Sequence, residues 1–134
     1  MEEQRKRDLE TMSTEHRLQI EVLDALLAAV EAGRRDAQVG ELLTRLSDLS
    51  AAHFLSEDLL MRLHAYPDHA AHVAEHEEMT EMLAALRAQE GGPSAGRLAA
   101  LRNRFVHHIH DRDEQLEEFL DKPGRNDDMG SPDV

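Results

Sequence analysis

Apolar residues recur every three or four positions along most of this 134-residue chain, and three short breaks interrupt the repeat: Gly33, Tyr66-Pro67 and Gly91-Gly92-Pro93. No period-2 run is long enough for a strand, so the pattern predicts helices throughout. The expected helices cover about 14–32, 37–65, 69–90 and 95–121. Gly33 ends the first, Asp68 can cap the third, and Ser94 can cap the fourth. Four helices joined by short turns predict an all-α, up-down-up-down antiparallel four-helix bundle. The first dozen residues read as a short charged N-terminal arm. The last stretch, KPGRNDDMGSPDV, reads as a disordered C-terminal tail. Residues 1–122 are then one bundle domain and 123–134 the tail.

Composition removes several function classes. With 28 acidic against 15 basic residues, the formal net charge is −13. That argues against a nucleic-acid or anionic-membrane surface, both of which need positive charge. There is no cysteine. Disulfides, thiolate metal sites, Fe–S clusters and cysteine nucleophiles are therefore excluded. MEEQRKRDLETM has no apolar signal core, and no run approaches membrane-spanning length, so a cytoplasmic protein is expected.

Histidines and carboxylates stand where apolar residues would be expected. At about 100° per residue, the first helix presents His16, Ile20, Leu23, Leu27 and Val30 on one stripe. The second presents Val39, Leu42, Leu46, Leu49, His53, Glu57 and Leu60. The third gives His72, His76, Met79, Leu83 and Leu86. The fourth gives Leu98, Leu101, Phe105, His108, Ile109, Leu116 and Phe119. Depths agree as well. His16 and His53 each lie about 18 residues from the first turn, and His76 and His108 about 16 from the third. Glu57 and His76 lie about 10 and 9 residues from the second turn. Antiparallel packing brings all of them to one level, near one end of the bundle.

Within FVHHIHDRD, residues 105–113, facing angles at about 100° per residue point His108 inward and His107 and His110 outward. Asp113 falls about 80° from the apolar centre and Asp111 about 120° from it, so Asp113 is favoured. His107, His110 and Asp111 read as a solvated face, as does Glu21. His64 and His69 fall near the Tyr66-Pro67 turn, outside the cluster, as boundary histidines or as an accessory relay or metal site. Met61, Met79 and Met82 read as core filler.

Several imidazoles and carboxylates buried at one depth would each be costly without compensation. Metal ions remove that cost by using their lone pairs. An all-N/O set suits iron, manganese or zinc. Seven candidates exceed the four ligands of one tetrahedral zinc and fit two metals bridged by carboxylates.

In these residues the chain resembles the hemerythrin family, in its bacterial single-domain branch. The resemblance covers roughly residues 12–120. It rests on His16; His53-Phe54-x-x-Glu57; Tyr66-Pro67; His72-x-x-x-His76; and His108-Ile109-x-x-x-Asp113. It implies a non-haem di-iron centre, oxo- or hydroxo-bridged, with Glu57 and Asp113 bridging the irons. It further implies His72, His76 and His108 on one iron and His16 and His53 on the other, which keeps a position open for O₂. Phe54, Ile109 and nearby leucines would wall the O₂ pocket. The chain has Phe105 where tryptophan is frequent in relatives, a difference that bears on O₂ affinity. The resemblance implies reversible O₂ binding, for storage, delivery or sensing. No segment reads as an attached signalling domain, which favours a carrier over a receptor. The competing expectations are a di-iron enzyme acting on peroxide or NO, and an iron-homeostasis protein.

Overall fold

A computed structural model of the chain describes residues 2–121. Its helices are α1 (Glu2–Glu31), α2 (Ala37–Leu63), α3 (His69–Ala88), α4 (Ala95–His108) and α5 (Glu114–Asp121). A π-helical turn, Ile109–Asp113, separates the last two. The residues flanking that turn keep right-handed helical angles, so α4, the turn and α5 form one continuous fourth helix. Helix α1 packs on α2 and α4, and α3 packs on α2 and α4. This is the all-α four-helix bundle expected from the repeat. Among the described residues there is no strand, and no helix is long and apolar enough to cross a membrane. The tail predicted at 123–134 lies outside the described residues.

The breaks act as predicted, with one exception. Gly33 takes φ 84°, its N–H donates to the Val30 carbonyl at 2.9 Å, and the Arg34 N–H reaches back to Ala29 at 3.0 Å. That pair of bonds closes α1, and glycine adopts the left-handed angle without the Cβ clash other residues meet. At the second break Ala65 holds the equivalent position at φ 51°, and the Tyr66 N–H bonds to Met61 at 2.9 Å. Ser94 caps α4 by accepting from the Arg97 N–H at 3.2 Å. Asp68 precedes α3 but makes no capping bond with its side chain. Its ψ of 23° departs from the extended backbone that turns a cap side chain onto the first-turn N–H groups.

The N-terminal arm is not separate from the bundle. Residues 2–13 continue α1, because Leu9 and Met12 extend its inward stripe and pack beside Met61 and Leu116. The exact inward faces also differ from the simple stripes. On α1 the buried residues are Met12, His16, Gln19, Val22, Leu23, Leu26 and Val30, while Ile20 and Leu27 are only partly buried. On α2, Leu43, Ser50 and Met61 are buried, while Leu42, Leu49 and Leu60 sit at the edge. The α3 stripe is as predicted.

Two apolar clusters result. The larger includes Leu23, Leu26, Leu46, Met79, Leu83, Leu98, Leu101 and Phe105, towards the Gly33 end. The smaller holds Met12, Met61, Tyr66, Leu116, Phe119 and Leu120, towards the Tyr66-Pro67 end. A polar layer lies between them.

Candidate metal centre

That polar layer is made of His16, His53, Glu57, His72, His76, His108 and Asp113, each no more than 7% exposed. The structure brings all seven sequence-predicted ligand candidates together. Helix α1 supplies His16, and one turn of α2 supplies His53 and Glu57. One turn of α3 supplies His72 and His76, and the fourth helix supplies His108 and Asp113.

The π turn explains how the last two share a face. Five residues of α-helix would rotate Asp113 about 140° from His108. A turn closed by i→i+5 bonds takes up the extra residue and returns the side chain to nearly the same direction. Asp113 is 1% exposed. The partial inward facing predicted from an unbroken helix understated its burial for this reason.

The carboxylates sit at the middle of the layer. Glu57 Oε1 lies 3.1 Å from His72 Nε2 and 3.0 Å from His76 Nε2. Its other oxygen, Oε2, lies 3.2 Å from His16 Nε2 and 2.8 Å from His53 Nε2. Asp113 Oδ1 lies 2.9 Å from His72 Nε2 and 3.0 Å from His108 Nε2, and Oδ2 lies 2.9 Å from His16 Nε2. Two sets of ligand atoms, each gathered within 4.8 Å, follow: Glu57, His72, His76, His108 and Asp113; and His16, His53, Glu57 and Asp113. The two carboxylates belong to both.

The donor atoms suit a cation. Ligands at right angles around an ion, with bonds of about 2.1 Å, stand about 3.0 Å apart. The Nε2 atoms of His53, His76 and His108 and Oδ1 of Asp113 are buried and make no hydrogen bond. Each nonetheless lies close to an oppositely polarised neighbour. They crowd around common points without pointing at one another, which is the arrangement ligands need.

Charge follows geometry. Burial pushes the Glu57 carboxyl up, but His16, His53, His72 and His76 outweigh it and hold it well below the usual range. Burial and the Glu57 charge push Asp113 up, and His108, His16 and His72 overcome both and hold it low. Burial alone would keep the imidazoles neutral. Asp113 and Glu57 instead raise His16 to about 10 and His72 to about 9. Burial dominates at His76 and lowers it.

Behind the cluster stand carboxylates that the sequence did not single out. Glu15 lies 2.6 Å from His53 Nδ1, and Glu75 lies 2.7 Å from His108 Nδ1. Glu75 also accepts from Arg112 at 2.8 Å, and Glu117 lies 3.6 Å from His16 Nδ1. An N–H donated from Nδ1 leaves the Nε2 lone pair free and fixes the ring. Glu15 and Glu75 each adjoin a ligand candidate in sequence, but an acidic chain offers many such neighbours.

The remaining candidates lie outside the cluster. Phe54 stacks on His76 with ring centroids 4.1 Å apart, and Ile109 is half-buried at the start of the π turn. His107, His110, Asp111 and Glu21 are exposed, as expected. His69 pairs with Asp58 at 2.5 Å near the second turn, and His64 is half-buried beside it.

Fold and site together define a helical-bundle protein with a buried nitrogen-and-oxygen centre able to hold metal. Comparison with known proteins makes this specific. The family model for the hemerythrin HHE cation binding domain matches residues 7–120. The chain is 32% identical over 109 residues to the bacteriohemerythrin of Stenotrophomonas maltophilia (strain R551-3), covering 79% of this chain and 71% of that protein. The chain belongs to the hemerythrin family. No solved structure matches it significantly.

Proposed function

We propose that this protein holds two iron ions and binds O₂ reversibly. The observation that carries the reading is the unequal division of one shared ligand set. One group has five residues and the other four, with Glu57 and Asp113 in both. In this reading Glu57 and Asp113 bridge the ions. His72, His76 and His108 complete one ion, and His16 and His53 serve the other, which keeps a free position. Iron fits a thiolate-free set with more ligands than tetrahedral zinc takes. When bound, the iron pair supplies the electrons with which O₂ is held. The chain's own part is to orient the histidines through Glu15 and Glu75 and to exclude water with the flanking apolar clusters. Phe54 and Ile109 wall the small-molecule pocket. Membership of a family whose domain is described as cation binding supports the same assignment.

The test is reconstitution with Fe(II) without air, followed by O₂. The expected result is about two irons per chain, from the two ligand groups, and a visible charge-transfer band that fades on degassing. A single tightly bound zinc in the isolated protein would overturn the di-iron reading. Irreversible bleaching with consumption of peroxide would replace the carrier by an enzyme.

Metal uptake should also release protons. His16 at about 10 and His72 at about 9 are both protonated at pH 7 in the metal-free protein. Ligation needs their lone pairs, so filling the site expels about two protons. Both values lie above the unfolded 6.5. The stability these groups give the metal-free fold is therefore complete below pH 6.5 and is lost as pH rises through 9 to 10. Metal addition in weakly buffered solution at pH 7 should lower the pH accordingly. An unchanged pH would overturn the protonated state assigned to His16 and His72 in the metal-free protein.

A further inference from the structure

His16 and His53 face each other across α1 and α2, with ring centroids 4.7 Å apart. Three residues further into the bundle on each helix, the Gln19 amide donates to Ser50 Oγ at 3.1 Å. Gln19 and Ser50 are each 1% exposed. Three residues of helix rise about 4.5 Å, so this polar rung lies directly beneath the histidine rung. The rung after it is aliphatic, Leu23 and Leu46.

The other half of the centre is built differently. Three residues inward from His76 and His108 stand Met79 and Phe105, both apolar and fully buried. An amide and a hydroxyl thus occupy core positions only beneath the four-ligand group. Apolar residues of similar size would fill the space without the desolvation cost of two polar groups. An amide carries two N–H donors, and Ser50 takes one, which leaves a second.

Solvent comes close to this rung. A crevice of about 260 Å³ between α2 and α3 is lined by Ser47, Ser50, Ala51 and Thr80, among others. The Ser47 hydroxyl is buried there without a hydrogen-bond partner among the described residues. Ser50 thus stands at the buried floor of this crevice, with Ser47 and Thr80 beside it.

We propose that Gln19, held by Ser50, donates a hydrogen bond to a small anion at the His16/His53 metal and so makes this half of the centre an anion subsite. The proposal rests on the di-iron reading above. It makes Gln19 a residue that sets ligand specificity, favouring ligands that carry negative charge once held at the open position.

The test uses azide with the reconstituted, oxidised protein, followed by visible absorption and by the infrared stretch of the bound azide. Gln19→Leu/Ser50→Ala removes both partners, so neither is left unsatisfied in the core. Gln19→Met is a milder second variant, since the Ser50 hydroxyl can bond to its own helix. Both are expected to keep the wild-type iron content, to bind azide about tenfold or more weakly, and to shift the azide stretch. A tenfold loss is what one hydrogen bond to a charged group is worth. Wild-type affinity and an unmoved stretch in Gln19→Met would overturn the subsite while leaving the di-iron reading intact. Wild-type protein that loads no iron pair would overturn that reading and the subsite with it.

Discussion

Replacing Glu57 or Asp113 by alanine is expected to abolish loading of the metal pair and its visible spectrum, while His107→Ala and His110→Ala leave both nearly unchanged. Glu57 meets four histidine nitrogens through two oxygens, at 2.8 to 3.2 Å. No histidine of the cluster belongs to both ligand groups, whereas each carboxylate does. On the di-iron reading proposed above, removing either carboxylate would take a ligand from both ions and leave less negative charge to offset theirs. Loss of an outer partner alone typically costs about 10–100-fold in metal affinity, and a shared ligand should cost more. His107 bonds back to the Asn103 carbonyl of its own helix, and His110 pairs with Glu114 on the exposed face. Elemental analysis and the visible spectrum check the prediction, with circular dichroism to show that each variant remains helical. Bleaching by His107→Ala with His108→Ala intact would mean that the facing of the fourth helix is wrong.

The candidate ligand cluster was legible because it depends on two robust periodicities. A histidine four residues from a carboxylate or another histidine shares its face on any helix. Antiparallel packing with short turns then fixes depth from residue counts alone. Those rules place His16, His53, Glu57, His72, His76 and His108 without knowledge of tertiary detail. Asp113 was harder, because its burial depends on a π turn that the sequence IHDRD does not announce. The stripes of α1 and α2 were read a fraction of a turn off for a related reason. Apolar character pointed to Ile20, Leu27 and Leu49, whereas the structure buries Gln19 and Ser50, which pair only across two helices. A buried polar pair leaves no trace in a hydropathy pattern. The same holds for Glu15 and Glu75, whose partners are 38 and 33 residues away in sequence. The helical N-terminal arm was missed because charge dominates its composition, although Leu9 and Met12 already continue the stripe.

Removing the metal should lower the melting temperature markedly and loosen one end of the bundle before the other. Four ligand-type atoms in the layer, on His53, His76, His108 and Asp113, are buried without a hydrogen bond, as is His72 Nδ1. Each poorly satisfied group costs about 1–3 kcal/mol, against a total stability of ~5–15 kcal/mol for a typical domain. Protonation of His16 and His72 compensates part of this cost, so the metal-free bundle need not unfold at neutral pH. Metal bound to the native state alone adds its own stabilisation by mass action. A net loss of several kcal/mol corresponds to a drop on the order of 10 °C for a chain of this size. The effect should be uneven. The smaller cluster around Met12, Met61, Tyr66 and Phe119 is cut off from the larger core by the polar layer itself. Tyr66 meets that layer directly, edge-on to His72 at 6.4 Å. Without metal, this end depends on the layer's imperfect pairing for its connection to the rest. The Gly33 end rests on the continuous packing of Leu23, Leu26, Leu46 and Leu101 and should keep its slow amide exchange. Hydrogen exchange on the two forms should therefore show protection lost around the Tyr66-Pro67 turn and α5, and retained in α1 and α2 near Gly33. Equal melting temperatures with and without metal would mean that the layer is satisfied by its own protons and water, and that metal contributes nothing to holding the two clusters together.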